Sequence, residues 1–499
     1  MNEKTIPIIC INDFHAEIFE TEHALGSAKL GGLVKSFKTE HPHAIVVFGG
    51  DNYKGDPVSE HLSGEPVTYL IKSLGAKASA VGNHEFDFDL ETIRGWSRQG
   101  DFTFVAANVL DKRTGRIAEG FEPYAMIEAD GAKIAFIGLS TVEQLDRPPY
   151  PEDIRALEIV NGAREARKWV AFLNGGGDPR GKPDAIVALT HFGLKHTADR
   201  TALIGEEAID LCRQVPELAG VFTAHWHQFI SADIGGIPVV QGGGNGRGFA
   251  VLTLRLSSEN RLRSVTPGFV DGSGRIEEIP ADEDVRLRTD EFKRQAMKTL
   301  GAVVGRLEED IVHKSPVTAE VDMEGTPLTK LAIDVMREQT GCPIAMLYSG
   351  RMGLGLPKGE VTLYQLLKLF YFNDEIVTMK LAGADLIKNI ENGICTLRRE
   401  RASPLAFGGL RVVADYDRPY GRRIESVVLE NGQPLEPDRE YDIAVDEFIA
   451  SNEMGYDFSA GTERKHTGVF LRDRMIRAIE ERGGLAAEYP VYLKVKNKQ

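Results

Sequence analysis

Five apolar, β-branched runs, each breaking into a short polar motif, constrain this chain more than any other feature. The runs are Ile6–Ile11, Ala44–Phe48, Ala78–Val81, Ala185–Leu189 and the shorter Val221–Phe222. The motifs are Asn12-Asp13-Phe14-His15, Gly49-Gly50-Asp51, Gly82-Asn83-His84-Glu85, Thr190-His191-Phe192-Gly193 and Ala224-His225-Trp226-His227. Such runs read as strands buried on both faces, and the motifs as loops at their ends. Loops on a rigid sheet are where an α/β protein gathers its reactive side chains. The pattern predicts an α/β fold with one site built from several strand ends.

The residue types say what that site holds. Imidazole, carboxylate and side-chain amide form a mixed nitrogen and oxygen donor set, suited to borderline first-row cations rather than to calcium. Two divalent ions about 3.5–4 Å apart repel, so a carboxylate must hold them together. Asp51, in a Gly-Gly-Asp turn, is the candidate bridge. His225 and His227 face the same way if their segment is extended. Any one motif alone reads better as a capped turn or a hydrogen-bonded histidine at a strand end. Five in series read as a two-metal hydrolase.

Composition narrows the setting. A chain of 499 residues implies two or more domains, and a net charge of −15 argues against polymeric nucleic acid as a partner. No apolar run is long enough to span a membrane, and Met1-Asn2-Glu3-Lys4-Thr5 lacks the look of a signal peptide, so a cytoplasmic location is expected. Cys10, Cys212, Cys342 and Cys395 are too scattered for a disulfide framework. The basic run Arg398-Arg399-Glu400-Arg401 reads as a solvated loop. No protein partner is predicted. Strand-like sequence ends after Leu256 in a turn-rich stretch with Pro267, Gly268, Gly272 and Gly274. A helix over Ala281–Leu300 follows, with Val285, Leu287, Phe292, Ala296 and Leu300 expected on one side.

The motif order resembles the calcineurin-like metallophosphatases, and Asn83-His84-Glu85-Phe86-Asp87 is similar to their 5′-nucleotidase branch. The resemblance implies a four-layer αββα metallophosphatase domain over residues 1–275. A linker helix region, 276–302, would join it to a smaller α+β substrate-recognition domain, 303–499. It implies two divalent ions (Mn, Zn, Fe, Co or Mg), one held by Asp13, His15, Asp51 and His227, the other by Asp51, Asn83, His191 and His225. His84 would lie beside the reacting phosphoryl group, oriented by Asp87. The activity implied is hydrolysis of nucleotide phosphoesters by a metal-activated water. The alternatives are a 2′,3′-cyclic-nucleotide phosphodiesterase or nucleotide-sugar diphosphatase, and, from a different class, a catalytically weak ligand-binding or sensing protein.

The second half departs from the family where substrate is gripped. Phe372, in Tyr371-Phe372-Asn373-Asp374, and Phe448, in Asp446-Glu447-Phe448-Ile449-Ala450, match the pair that sandwiches a base in relatives. Where relatives carry Asn-Gly-Gly-x-Ile-Arg, this chain reads Tyr348-Ser349-Gly350-Arg351-Met352-Gly353. The family arginine is thus replaced by Gly353, and Arg351 becomes the candidate phosphate grip.

Overall fold

The computed structural model describes residues 3–145, 150–197, 199–313, 325–353, 355–370, 372–394, 405–415, 417–490 and 492–496. Tyr371, Cys395 and the run Arg398-Arg399-Glu400-Arg401 lie outside these residues. The chain divides into two compact units, residues 1–296 and 297–499. Among the described residues, no helix is long and apolar enough to cross a membrane.

Twelve strands of the first unit form two six-stranded sheets. They are β1 (Lys4–Ile11), β2 (Ile45–Phe48), β3 (Ala78–Ala80), β4 (Thr103–Val105), β5 (Tyr124–Ala129) and β6 (Ala132–Leu139), followed by β7 (Ala185–Gly193), β8 (Gly220–Ala224), β9 (Phe229–Ile234), β10 (Ile237–Gly242), β11 (Gly248–Leu256) and β12 (Leu262–Asp271). One sheet has the order β12-β11-β1-β2-β3-β4, the other β9-β10-β8-β7-β6-β5. In the first, β1 to β4 run parallel and β11 and β12 pair antiparallel at the edge. In the second, β10, β8, β7 and β6 are parallel between antiparallel edges.

Side-chain alternation builds the layers. Ile6, Ile8, Cys10 and Val47 of the first sheet meet Ile134, Phe136, Val187, Leu189 and Phe222 of the second in one core. The intervening Ala135, Ile137 and Leu139 face the other way, against Ala166, Val170 and Leu211 of the helices Gly162–Asn174 and Glu206–Gln214. On the outer face of the first sheet, Phe37 of helix Gly26–Glu40 packs edge-on to Phe249, 5.6 Å between ring centres. Helix, sheet, sheet and helix thus make four layers, and each fully buried aliphatic side chain contributes about 1.5–3 kcal/mol. Continuous burial on both faces is why these strands read as unbroken apolar runs.

The helix at the end of this unit spans Glu283–Leu300. Val285, Phe292 and Ala296 are buried, whereas Leu287 is 53% exposed. Two residues of a helix are about 200° apart, which places Leu287 opposite Val285 and corrects the expectation that it shares the apolar side.

The second unit is built on a mixed five-stranded sheet covered by helices, with a separate three-stranded sheet of Leu410–Asp415, Ile424–Leu429 and Leu493–Lys496. The strands of the larger sheet are β13 (Ile344–Tyr348), β14 (Glu375–Ala382), β15 (Leu405–Gly408), β16 (Glu440–Asp446) and β17 (Thr462–Phe470), in the order β15-β13-β16-β14-β17. Helix Pro327–Thr340 opens with a capping box between Thr326 and Thr329 and closes on Gly341. Leu331, Val335, Ile344, Met346, Ile443 and Phe407 belong to one core.

One glycine sets how closely the sheets of the first unit approach. A Cβ on Gly138, in β6, would lie 2.0 Å from the carbonyl oxygen of Val105, in β4. Gly138→Ala is therefore expected to cost about 2–3 kcal/mol through overpacking, read as a lower urea midpoint. An unchanged midpoint would mean that the sheets separate without cost.

Candidate metal centre

All five motifs sit at the carboxy-terminal ends of parallel strands. Asp13 and His15 follow β1, Asp51 follows β2, and Asn83 and His84 follow β3. His225 and His227 follow β8. The fourth motif differs from expectation, because β7 continues through Thr190, His191, Phe192 and Gly193. The ladder between β8 and β7 slips at Phe222/Ala224, beside His191. Irregularities of this kind re-aim a side chain at a strand end.

The side chains meet in two clusters. Donor atoms of Asp13, His15 and His227 all lie within 4.8 Å of one another, as do those of Asp51, His191 and His225. Asp51 reaches toward both, its Oδ2 being 3.0 Å from His191 Nε2 and 3.9 Å from His15 Nε2. Asp13 Oδ1 lies 3.5 Å from His227 Nε2 and 3.8 Å from His191 Nε2. Asn83 is placed by its neighbours, since His84 N donates to Asp51 Oδ1 at 2.8 Å. Gly82 packs so tightly on Asp51 that a Cβ would lie 2.1 Å from Oδ1.

The extended reading of His225-Trp226-His227 is corrected here. Both histidines have left-handed backbone, φ +66° and +54°, so the segment turns and sends their rings to different clusters. Asp13, His15 and Asp51 are left-handed too, at φ +50°, +50° and +52°. For residues other than glycine this costs about 1 kcal/mol or more each, and such strain gathers at functional sites.

The donor set fits divalent cations on four observations. His191 Nδ1 lies 2.8 Å from the carbonyl oxygen of Gly49 and His15 Nδ1 3.3 Å from that of Lys54. A carbonyl can only accept, so each Nδ1 carries the proton and each Nε2 offers a lone pair inward. His191 Nε2, though 3.0 Å from Asp51 Oδ2, is misaligned for a hydrogen bond and has no partner. About 3.0–3.4 Å is the edge between two ligands of one cation with bonds near 2.1 Å. His15 Nε2 and His227 Nε2 are likewise 3.1 Å apart, and Asn83 Oδ1 is buried without a partner.

Electrostatics agree for His15 and His225 and run the other way for His191. Burial pushes His15 and His225 down to about 4, which keeps them neutral as ligands must be. Burial opposes charge on His191 as well, yet in the protein alone the carboxylates of Asp51 and Asp13 lift it to about 10. His84 follows the same rule. Burial opposes its charge, Asp51 and Asp87 favour it, and it stands at about 9. Its Nδ1 donates to Asp87 Oδ2 at 3.0 Å, and its ring lies 5.6 Å from that of His15.

Two residues not foreseen as important hold this arrangement. Glu85 accepts three buried backbone amides at 2.7 Å, those of Asp51, Asn52 and Gly82, and so ties the second loop to the third. Asn12 donates to Asp13 Oδ2 and to the Gly243 carbonyl, both at 2.6 Å, and accepts from Gly242 N. A glutamate beside a histidine looks like one more ligand or a solvated charge; nothing local in the sequence signals an amide acceptor.

The three substrate candidates of the second unit also come together, in an unexpected way. Cζ of Arg351 lies 3.5 Å from the ring centre of Phe372 and 4.3 Å from that of Phe448. Its Nε is 3.4 Å from Asp374 Oδ2. The guanidinium is held between the rings.

Comparison with known proteins agrees with both halves. Residues 6–229 match the calcineurin-like phosphoesterase model, and residues 303–461 match that of the 5′-nucleotidase C-terminal domain. Cell wall protein Lmo0130 of Listeria monocytogenes is 24% identical over 90% of this chain and 64% of its own length. Endonuclease YhcR of Bacillus subtilis is 26% identical over 89% of this chain. The chain spans only 37% of that protein. The crystal structure of a 5′-nucleotidase precursor from Thermus thermophilus superposes with a TM-score of 0.71 at 22% identity, covering 99% of this chain and 100% of that one.

Burial and Asp51 push the Glu85 carboxyl up to about 7. Glu85→Gln, which leaves one accepting atom where the carboxyl had two, is expected to cost about 1 kcal/mol, and Glu85→Ala more, with three buried amides unpaired. Denaturant unfolding of both variants checks this. A wild-type midpoint for Glu85→Gln would refute the lock between the loops.

Proposed function

We propose, on the premise that this chain belongs to the calcineurin-like phosphoesterases with a 5′-nucleotidase C-terminal domain, that it is a metal-dependent phosphohydrolase acting on nucleotides or related phosphoesters. Residues 1–275 are the catalytic domain and 303–499 the recognition domain, with 276–302 linking them. The observation that carries this reading is the pair of His/Asp clusters with Asp51 between them.

One cation would be held by Asp13, His15, Asp51 and His227, the other by Asp51, Asn83, His191 and His225. Such a pair, whether Mn, Zn, Fe, Co or Mg, would supply fixed positive charge for phosphoryl oxygens and ease the loss of a proton from water, which makes the water a nucleophile toward phosphorus. The chain's own groups do the rest. Asn83 contributes a neutral amide, so the ligand set carries only the two charges of Asp13 and Asp51. Asp87 fixes the proton of His84 on Nδ1, which leaves Nε2 as the atom that steadies the phosphoryl charge or protonates the departing oxygen. No serine or cysteine nucleophile is required.

A second reading, cleavage of a phosphodiester by the same centre, is favoured by the Bacillus relative being named an endonuclease. Protein stripped of metal and resupplied with Mn or Zn separates the two readings. Phosphate release from nucleoside 5′-monophosphates supports the first, and turnover of diesters or nucleotide sugars alone supports the second. No turnover of any of them would return the chain to the class of binding proteins.

Substitutions test the bridge. Even outer-shell residues of metal sites change affinity or activity by about 10–100-fold, so Asp51→Ala should lose about 100-fold or more and release both ions. His15→Ala should lose less and keep one ion. Elemental analysis of the purified variants reads the stoichiometry, and equal, small losses would end the bridging assignment.

A further inference from the structure

The aromatic pair in the second unit is occupied by the chain's own side chain. Phe372 follows helix Leu363–Leu369, and Phe448 lies on helix Glu447–Ala450, which Asp446 caps by accepting from Ile449 N at 2.9 Å. Arg351 reaches them from a single turn, Ser349–Arg351, at the end of β13. The guanidinium is flat, and its carbon lies over both rings, 3.5 Å from the centre of one and 4.3 Å from that of the other, so it takes the stacking position on each. A nucleobase would need the same two faces.

Charge holds the arginine in place. Asp374 lies against its Nε, and the buried Asp446 is close enough to feel both side chains. Asp446 is itself fixed, its Oδ2 accepting from Tyr348 N at 2.7 Å. Asp374 pushes the Asp446 carboxyl up and Arg351 draws it down, so the cation offsets the repulsion between the two acids. The cavity on the Phe372 side of Arg351, bordered also by Asp374, Met352, Phe370 and Met475, measures about 30 Å³. That is room for about one water molecule and not for a base.

We propose that Arg351 is a specificity-determining plug, an internal ligand of the Phe372–Phe448 clamp that excludes a stacked base. The substrates favoured are then phosphoesters recognised through their phosphoryl group, without a nucleobase in the clamp. This rests on the hydrolase reading for its substrate class, while the plug itself is tested by binding alone.

The experiment titrates adenosine, which carries no phosphate to hydrolyse, into the full-length metal-loaded protein by calorimetry. Arg351→Ala should bind adenosine about tenfold or more tighter than wild type, the order expected for one base stack. Adding Phe372→Ala to Arg351→Ala should abolish the gain. Asp374→Asn frees the arginine without emptying the gap and should give a smaller gain in the same direction, which keeps the test alive if Arg351→Ala does not fold. In parallel, kcat/KM for adenosine 5′-monophosphate relative to a base-free aryl phosphate should rise in Arg351→Ala, through KM. Equal adenosine binding in wild type and Arg351→Ala, or a fall in the nucleotide ratio, overturns the plug and makes Arg351 a substrate grip. Failure of wild type to turn over either phosphate with any metal defeats the hydrolase reading, and the adenosine titration still judges the plug.

Discussion

Two ionised carboxylates share one dry volume with a group of imidazoles, and the architecture of the first unit answers to that. Asp13 and Asp51 are essentially inaccessible to water, as is His191. Charge in such a place is tolerated only when it is paired or bound to cations. Bringing the groups together takes rigid supports on opposite sides. Two sheets packed through Ile8, Val47, Phe136 and Val187 supply them, with their parallel strands ending beside one another. The irregular backbone at those ends, left-handed at five of the proposed ligands, persists because each distorted residue lies within four residues of the end of a buried strand.

The two units treat charge in opposite ways. In the first, negative and neutral donors converge and leave lone pairs aimed at one another, an arrangement completed by positive ions. In the second, a positive side chain has been drawn between two aromatic faces and two carboxylates, an arrangement already complete. Metal chemistry and substrate choice are thereby separable.

Much of this was legible in the sequence, because burial on both faces leaves an unmistakable apolar run and metal ligation leaves a narrow choice of side chains. The buried strands and the polar motifs at their ends follow from those two signals, whereas the four-layer order and the grouping of Asp13, His15, Asp51, His191, His225 and His227 were implied by the resemblance to the metallophosphatases. What escaped had no local signature. The His225-Trp226-His227 segment turns where alternation predicts extension, since its conformation is set by Asp13 accepting the His225 amide at 3.0 Å, 212 residues away in sequence. Strand β7 outruns its apolar run because its neighbours cover His191 on both sides. Arg351 was read as a phosphate grip because charge is visible in a sequence, whereas the competing attraction of two rings and Asp374 exists only after folding.

Glu85 gives the centre a further property. Three amides from two loops converge on one carboxylate, so the loops cannot drift apart one bond at a time. The Gly82 amide holds the carboxyl within its own loop, and parting the loops means giving up the other two contacts, from Asp51 and Asn52, on that one side chain. A molecule emptied of its ions would therefore keep the mould in which they were cast, and reloading would be a matter of capture rather than refolding.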